Sequence, residues 1–433
     1  MSGRSQMMAA LRARHAGPVA AAPPRTGRDP SRTDLTTLPG YRQVQMARMG
    51  AEALALPNPF FREIEAVRGT EVRIGGSWRR NFASYDYLSL NRSAPVREAV
   101  ARAVADWGVS STASRLVGGD YPYHLSLERG LAEFLGQPAA LAMVSGHATN
   151  QAILRMMVGP GDLVAVDALA HNSVFEGIRV SGASHVSFPH NDWAWLDRHL
   201  DTARDRHGRL LIVIEGLYSM DGDTPDLARF VEVKRRHDGW LMIDEAHSIG
   251  VLGATGRGLA EAQGIAPGEI DVTMGTLSKA FCAAGGFVAG PLPLIELMHT
   301  APGFLYSVGL PAPSAAAATA ALAALRAEPG RVRRLQALGS HLNATARAAG
   351  LDCGPAEGHA IVPVLIGDSA RAVWASARLL ERGFNVLPII APAVPDKAAR
   401  LRIFLNADHL PDHVEALVGA IVAVTDAARA LRF

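Results

Sequence analysis

Five short apolar runs, each followed by a polar residue or a glycine, constrain the fold of this chain more than any other feature. They are Leu163–Val166, Leu210–Glu215, Trp240–Asp244, Val272–Gly275 and Gly286–Ala289. Helical patterns lie between them, such as Leu196–Arg206 and Leu227–His237. Short strands alternating with helices from about Leu56 onward predict a parallel sheet wound with helices, an α/β architecture. In such sheets ligands sit beyond the carboxyl ends of the strands. Polar residues just after strands are therefore the candidates for chemistry.

Past about Pro311 the texture changes. An Ala-rich helix is predicted over Ser314–Ala327, strands over Ile361–Ile366, Asn385–Pro388 and Arg402–Leu405, and a closing helix over Glu415–Leu431. The expected organisation is an extension over residues 1–40, disordered, and a helix or linker over 41–60. A large doubly wound, mostly parallel domain follows over 61–305, then a smaller α+β domain over 306–433. The first 40 residues are rich in Arg, Ala and Pro and poor in acids. An organellar transit peptide and a disordered bacterial extension both have that composition.

Charge and composition exclude several classes. A formal net charge of +2 over 433 residues, with no block of like charge, points away from nucleic acid. No apolar run reaches the roughly 18 residues of a membrane span. Cys282 and Cys353 make neither a disulfide framework nor a metal-binding spacing. A cytoplasmic setting without a metal is expected.

Among the 43 basic residues only three are lysines, Lys234, Lys279 and Lys397, which leaves 40 arginines. Lys234 lies in a charged helical run, expected to be a solvated face, and Lys397 in a turn. Lys279 alone sits in a small, apolar setting, Met274-Gly-Thr-Leu-Ser-Lys279-Ala-Phe, directly after a predicted strand. Desolvation there would lower its pKa and free a neutral amine to attack an aldehyde. A lysine snorkelling from a strand end is the competing reading.

Asp244 closes the run Trp240-Leu-Met-Ile-Asp244-Glu-Ala-His247. A buried carboxylate needs a partner, and the pyridinium nitrogen of pyridoxal phosphate (PLP) is one; a salt-bridged structural Asp is another. His247 could bond the phenolic oxygen of such a ring. The same four letters occur in helicase-type nucleotide motifs, but those need a Gly-Lys phosphate loop, and no Gly-Lys pair exists here. The 35 residues from Asp244 to Lys279 leave room for one helix and one strand, so the two could end neighbouring strands. Val144-Ser-Gly146-His147 precedes a helical stretch, a setting that suits phosphate, and Thr276 could add a hydroxyl. His171 and Ser219 also follow strands.

Together these residues resemble the α-oxoamine synthase family of fold-type I PLP enzymes. The resemblance rests on His124-Leu-Ser-Leu-Glu128, Glu215-Gly-Leu-Tyr-Ser219-Met-Asp-Gly-Asp223, Asp244-Glu-Ala-His247-Ser, Gly256-Arg-Gly258 and Gly275-Thr-Leu-Ser-Lys279, and runs from about Asn58 to the carboxyl terminus. It implies that Lys279 holds PLP and shuttles protons, Asp244 pairs with the ring nitrogen, His247 with the ring hydroxyl, and His171 stacks on the ring. Gly146, His147, Ser219 and Thr276 would line the cofactor, and Arg402 would take the amino-acid carboxylate. The implied reaction condenses a small amino acid (serine, alanine or glycine) with an acyl thioester, with loss of carbon dioxide, in a homodimer. Tyr85, in Ser84-Tyr85-Asp86-Tyr87, stands where the oxononanoate synthases of the family carry asparagine, which brings the chain nearer the serine palmitoyltransferases. Val308, after Ser307, departs from the family's hydroxyl residues there. Segments such as Pro189-His-Asn-Asp192 resemble synthases that work beside carrier proteins, so an acyl carrier protein is a candidate thioester donor beside coenzyme A. The competing functions are an aminotransferase, a retro-aldol enzyme, or a nucleotide-binding module on a doubly wound sheet.

Overall fold

A computed structural model describes residues 33–54, 56–395 and 397–429. Most of the expected 1–40 extension, and the end of the closing helix beyond Arg429, lie outside the described residues. The chain divides into two compact units, Met1–Leu56 and Pro57–Phe433. In the first, a short turn Leu35–Thr37 is capped by Asp34, whose side chain accepts the Thr36 N–H, and leads into the helix Pro39–Ala53.

In the second unit a seven-stranded sheet holds β4 (Ala139–Met143), β5 (Leu163–Asp167), β6 (Ser184–Phe188), β7 (Leu210–Glu215), β8 (Trp240–Asp244), β9 (Val272–Thr276) and β10 (Gly286–Gly290). The order is β4-β10-β9-β8-β7-β5-β6. Strands β6, β5, β7, β8 and β9 pair in parallel, and β10 alone runs against its neighbours β9 and β4. All five strands read from the sequence lie in this sheet, and the doubly wound, mostly parallel fold is the one observed.

The strands are near-continuous apolar runs because helices cover both faces. Side chains alternate between two separate cores. Leu163, Ala165, Ile212, Ile214, Leu241 and Ile243 enter one, whereas Val164, Val166, Leu211, Val213 and Met242 enter the other. Two smaller sheets complete the unit. Strands β1 (Ala66–Arg68), β2 (Glu71–Ile74) and β3 (Ser77–Asn81) are joined in parallel by β12 (Phe384–Asn385). Strand β14 (Ala399–Phe404) lies between β11 (Ile361–Gly367) and β13 (Leu387–Ile389), antiparallel to both.

One expectation is corrected. Lys234 is not on a solvated face. It is buried, and its Nζ donates to Asp271 Oδ2 at 2.6 Å and to the Glu269 carbonyl at 2.7 Å. The helix Leu227–Arg236 points it at the loop before β9, where a carboxylate offsets the cost of burying the charge. Lys397 is exposed in a turn, at φ +71°.

The antiparallel β10 brings Gly286 against the start of the helix Gly146–Met157. A Cβ on Gly286 would stand 2.6 Å from both Gly146 N and Thr149 Oγ1, backbone and near-backbone atoms that cannot give way. Gly286→Ala should therefore cost about 1–3 kcal/mol by overpacking, read as a lower midpoint in chemical unfolding. An unchanged midpoint would contradict this close approach.

Candidate active site

The carboxyl ends of the parallel strands converge on a cavity of about 260 Å³. Ser145 and Gly146 reach it from the turn after β4, His171 from the loop after β5, Glu215 from the end of β7, and Asp244 from the end of β8. Thr276 and Lys279 reach it from the end of β9. Parallel pairing sets Glu215 opposite Asp244, and Asp244 opposite Met274, so Asp244 and Lys279 do follow neighbouring strands.

Asp244 is 4% exposed. Its Oδ2 accepts from Asn150 Nδ2 at 2.8 Å and its Oδ1 from the Ala246 N–H at 3.0 Å. Glu215 beside it is also buried, and its Oε1 accepts the His171 N–H at 2.6 Å. Burial first, and then the Asp244 charge, hold the Glu215 carboxyl well above the usual range.

His171 caps the helix Asn172–Ser181. Its Nδ1 accepts the Ser173 N–H at 3.3 Å and lies 2.7 Å from Ser173 Oγ. Asn150 Nδ2 donates to Ser173 Oγ at 2.9 Å, so the hydroxyl hydrogen is directed at Nδ1. The remaining hydrogen of neutral His171 is then on Nε2. His247 is ordered in the same way. The fully buried Tyr87 hydroxyl lies 2.7 Å from its Nδ1. Burial, followed by the charges of Lys279 and Arg402, pushes the His247 imidazole well below its ordinary pKa. Tyr87, held above its own range by burial, donates to neutral His247 and leaves Nε2–H as a donor.

Burial lowers Lys279 from 10.5 to about 8, partly offset by Asp244 and Glu215. Lys279 and Ser278 also line a second cavity of about 960 Å³, with Tyr85, Asp86 and Cys282 in its wall. Gly146 approaches Thr276 so closely that a Cβ there would lie 3.2 Å from Thr276 Cβ, and Thr276 Oγ1 lies 2.8 Å from Ser278 Oγ. His147, exposed, stands edge-on to His171 with ring centroids 6.4 Å apart.

Ser219 and Arg402 do not line the smaller cavity. They form a second group with Tyr85: Arg402 Nη1 lies 3.4 Å from the Ser219 hydroxyl and carbonyl, and Nη2 lies 3.3 Å from Tyr85 Oη. Arg402 sits over the Phe404 ring at 4.7 Å and has no carboxylate partner among the described residues. Its neighbour Arg400 is tied to Asp221 at 2.5 Å. The sequence reading missed Asn150, Tyr87 and Glu215. Glu215 carried a usable signal, since it is a carboxylate ending an apolar strand as Asp244 is. Asn150 and Tyr87 carried none, because their partners lie 94 and 160 residues away.

Known proteins resemble this chain in sequence and fold. The profile of the aminotransferase class I and II family matches residues 80–421. The chain is 41% identical over 361 residues to the 8-amino-7-oxononanoate synthase of Methylococcus capsulatus, covering 83% of this chain and 92% of that protein. With the same enzyme of Saccharophagus degradans it shares 38% over 359 residues, 82% and 90% of the two chains. The chain belongs to the α-oxoamine synthase family. It superposes on a high-resolution structure of SPT with a PLP internal aldimine at a TM-score of 0.87 and 29% identity, covering 92% of this chain and all of that one. Serine palmitoyltransferase of Sphingomonas wittichii gives the same TM-score and coverage at 28% identity. As a member, this chain is a PLP-dependent acyltransferase of fold type I.

The residues present fit that cofactor. A glycine-lined helix start with two hydroxyls suits a phosphate. A buried carboxylate facing the cavity suits a ring cation, and Asn150 Oδ1 is a buried oxygen with no hydrogen-bond partner among the described residues.

The depressed Lys279 pKa makes a pH prediction. The attacking amine is the neutral form, so it is scarce below the pKa and plentiful above it. The rate at which cofactor-free protein captures PLP should rise with pH through a midpoint at the Lys279 value of about 8 and level off above it. Stopped-flow absorbance over a pH series reads this, and a midpoint at about 10.4, the value of a free lysine, would contradict the burial argument.

Proposed function

We propose that this enzyme condenses a small amino acid (serine, alanine or glycine) with an acyl thioester, releasing an α-aminoketone, carbon dioxide and the free thiol. The observation that carries this reading is the position of Lys279, whose side chain lines both the strand-end cavity and the larger one beside it. The strand-end cavity suits the cofactor; the larger one, with Tyr85 in its wall, has room for the amino acid and for the acyl thioester, carried by coenzyme A or by an acyl carrier protein.

When bound, PLP supplies an aldehyde that captures amines and a ring that withdraws electrons from the carbon attached to the captured nitrogen. The chain does the rest. Lys279 Nζ would hold the aldehyde, and as a buried amine with a lowered pKa it would be the base for the α-hydrogen of the amino acid. Asp244, fixed by Asn150 and the Ala246 N–H, keeps a proton on the ring nitrogen. His247, its Nδ1 filled by Tyr87, donates from Nε2 to the ring oxygen. His171 would cover the ring. The helix start at Gly146–His147, with Thr276 and Ser278, would hold the phosphate. Arg402, with no carboxylate partner among the described residues, would offer a guanidinium fork to the amino acid's carboxylate, with Ser219 and Tyr85 steadying it.

We place the enzyme in the cytoplasm as a homodimer. Among the described residues no helix is long and apolar enough to cross a membrane. An exposed apolar patch supports the homodimer reading. Val109, Leu116, Val117 and Tyr306 are 66–83% exposed, and the Ser114–Val308 bridge joins their two segments.

Three variants test the roles. Lys279→Ala should abolish the absorbance of the lysine-bound cofactor and lower kcat by at least about 10²–10⁴-fold; an unchanged spectrum would sink the assignment. Asp244→Asn should keep the fold while losing most activity. A panel of serine, alanine and glycine, scored by the change in cofactor absorbance, should single out the substrate. Arg402→Met should weaken that amino acid about 10²-fold, the order expected when a positioning contact is lost. No spectral response to any of the three, or pyridoxamine phosphate forming with amino acid alone, would favour an aminotransferase instead.

A further inference from the structure

His190, two residues beyond β6, is held at both ring nitrogens. Nδ1 lies 3.0 Å from Asp167 Oδ1, and Nε2 lies 2.9 Å from Asp223 Oδ2. Both partners are carboxylates, buried and able only to accept, so each ring nitrogen donates and the imidazole is a cation. Burial alone would lower its pKa, but the two carboxylates outweigh burial and raise it to about 10. Tyr218 packs edge-on to the ring at 4.4 Å. Asn191, at φ +57°, donates its N–H to Asp167 Oδ2 at 2.8 Å and its Nδ2 to Asp223 Oδ2 at 2.9 Å, so two successive residues tie the same two carboxylates.

Each carboxylate shapes a segment that reaches the active site. Asp167 Oδ1 also accepts the Leu169 N–H at 2.8 Å, which forms the short loop ending in His171. Asp223 closes the turn that begins at Tyr218: its carbonyl accepts the Tyr218 N–H at 3.0 Å, and Gly222 N–H donates to the Tyr218 carbonyl at 2.8 Å. That turn carries Ser219. Among the described residues the hydrogen bonds of the Arg402 guanidinium are long, 3.3–3.4 Å to Ser219, Met220 and Tyr85. A small shift of the turn would therefore re-aim the guanidinium.

We propose that His190 is a positioning residue for the amino-acid substrate: its cationic bridge between Asp167 and Asp223 sets together the loop that presents His171 and the turn that aims Arg402. This rests on the reading above that Arg402 takes the amino-acid carboxylate.

In the PLP-loaded enzyme, His190→Gln should raise the amino-acid KM and its spectroscopic Kd about tenfold, the scale of a sub-ångström misplacement, with kcat and PLP affinity each changed by less than about threefold. The substitution leaves two carboxylates facing each other without a cation. Asp223→Asn in the same chain should therefore recover most of the loss, a pairwise rescue that a general packing role would not produce. Asp223→Asn alone should move KM in the same direction, and it carries the test if His190→Gln does not fold. Unchanged KM in the folded single variants, a loss confined to kcat or to PLP affinity, or no rescue in the double variant would overturn the proposal. Arg402→Met separates the two readings. If it leaves amino-acid affinity intact, the Arg402 assignment fails. If it abolishes affinity while the His190 and Asp223 variants bind normally, only the positioning role fails.

Discussion

Glu215 and Asp244 lie side by side, in register at the ends of adjacent parallel strands and nearly out of contact with water. Two carboxylates so placed cannot both ionise cheaply. Glu215 yields, its carboxyl held well above its usual range by burial and by its neighbour, and it turns its Oε1 to the His171 N–H. Asp244 is instead supplied with donors, Asn150 and the Ala246 N–H. The strand ends thus present one well-held carboxylate to a cavity whose nearest lysine has been pushed towards neutrality. A cationic aromatic ring with an aldehyde is the complement of that arrangement.

The same logic repeats one layer further out. His247 and His171 are each ordered at Nδ1, by Tyr87 and by Ser173, so each neutral ring carries its remaining hydrogen on Nε2. His190 is the opposite case, a ring kept charged by a carboxylate at each nitrogen. Neutral histidines stand where they can serve a ligand, and the charged one stands where it can brace a turn. The antiparallel β10 belongs to this layer too, because Gly286 lets the helix carrying Gly146 and Asn150 settle against the sheet.

How much of this was legible in the sequence follows from which forces act locally. The strands β5, β7, β8, β9 and β10 were readable to within a residue or so, since burial on both faces demands uninterrupted apolar runs. Strand β6 was not. Its sequence, Ser-His-Val-Ser-Phe, sits at the sheet edge and buries only Phe188 fully, so it has no apolar run to read. The strands β1 to β3 are likewise short and half-exposed, and their link to β12 spans some 300 residues of chain. Lys279 and Asp244 stood out because a charge in an apolar run is locally anomalous. Tyr87 and Asn150 look ordinary until the fold brings them to His247 and Asp244. Lys234 misled for the converse reason: its neighbours Arg235 and Arg236 are exposed, and its own partners lie in the loop before β9, 35 and 37 residues further along the chain.

Lys279 lines both cavities, the placement that the proposed coupling of an amino acid to an acyl thioester requires. The most direct measurement is the stoichiometry of carbon dioxide and free thiol released by the PLP-loaded enzyme, with carboxyl-labelled amino acid and acyl thioester supplied together and singly. Equal amounts of both products are expected, formed only when both substrates are present. Carbon dioxide released without thioester, or thiol released without loss of the labelled carboxylate, would contradict it.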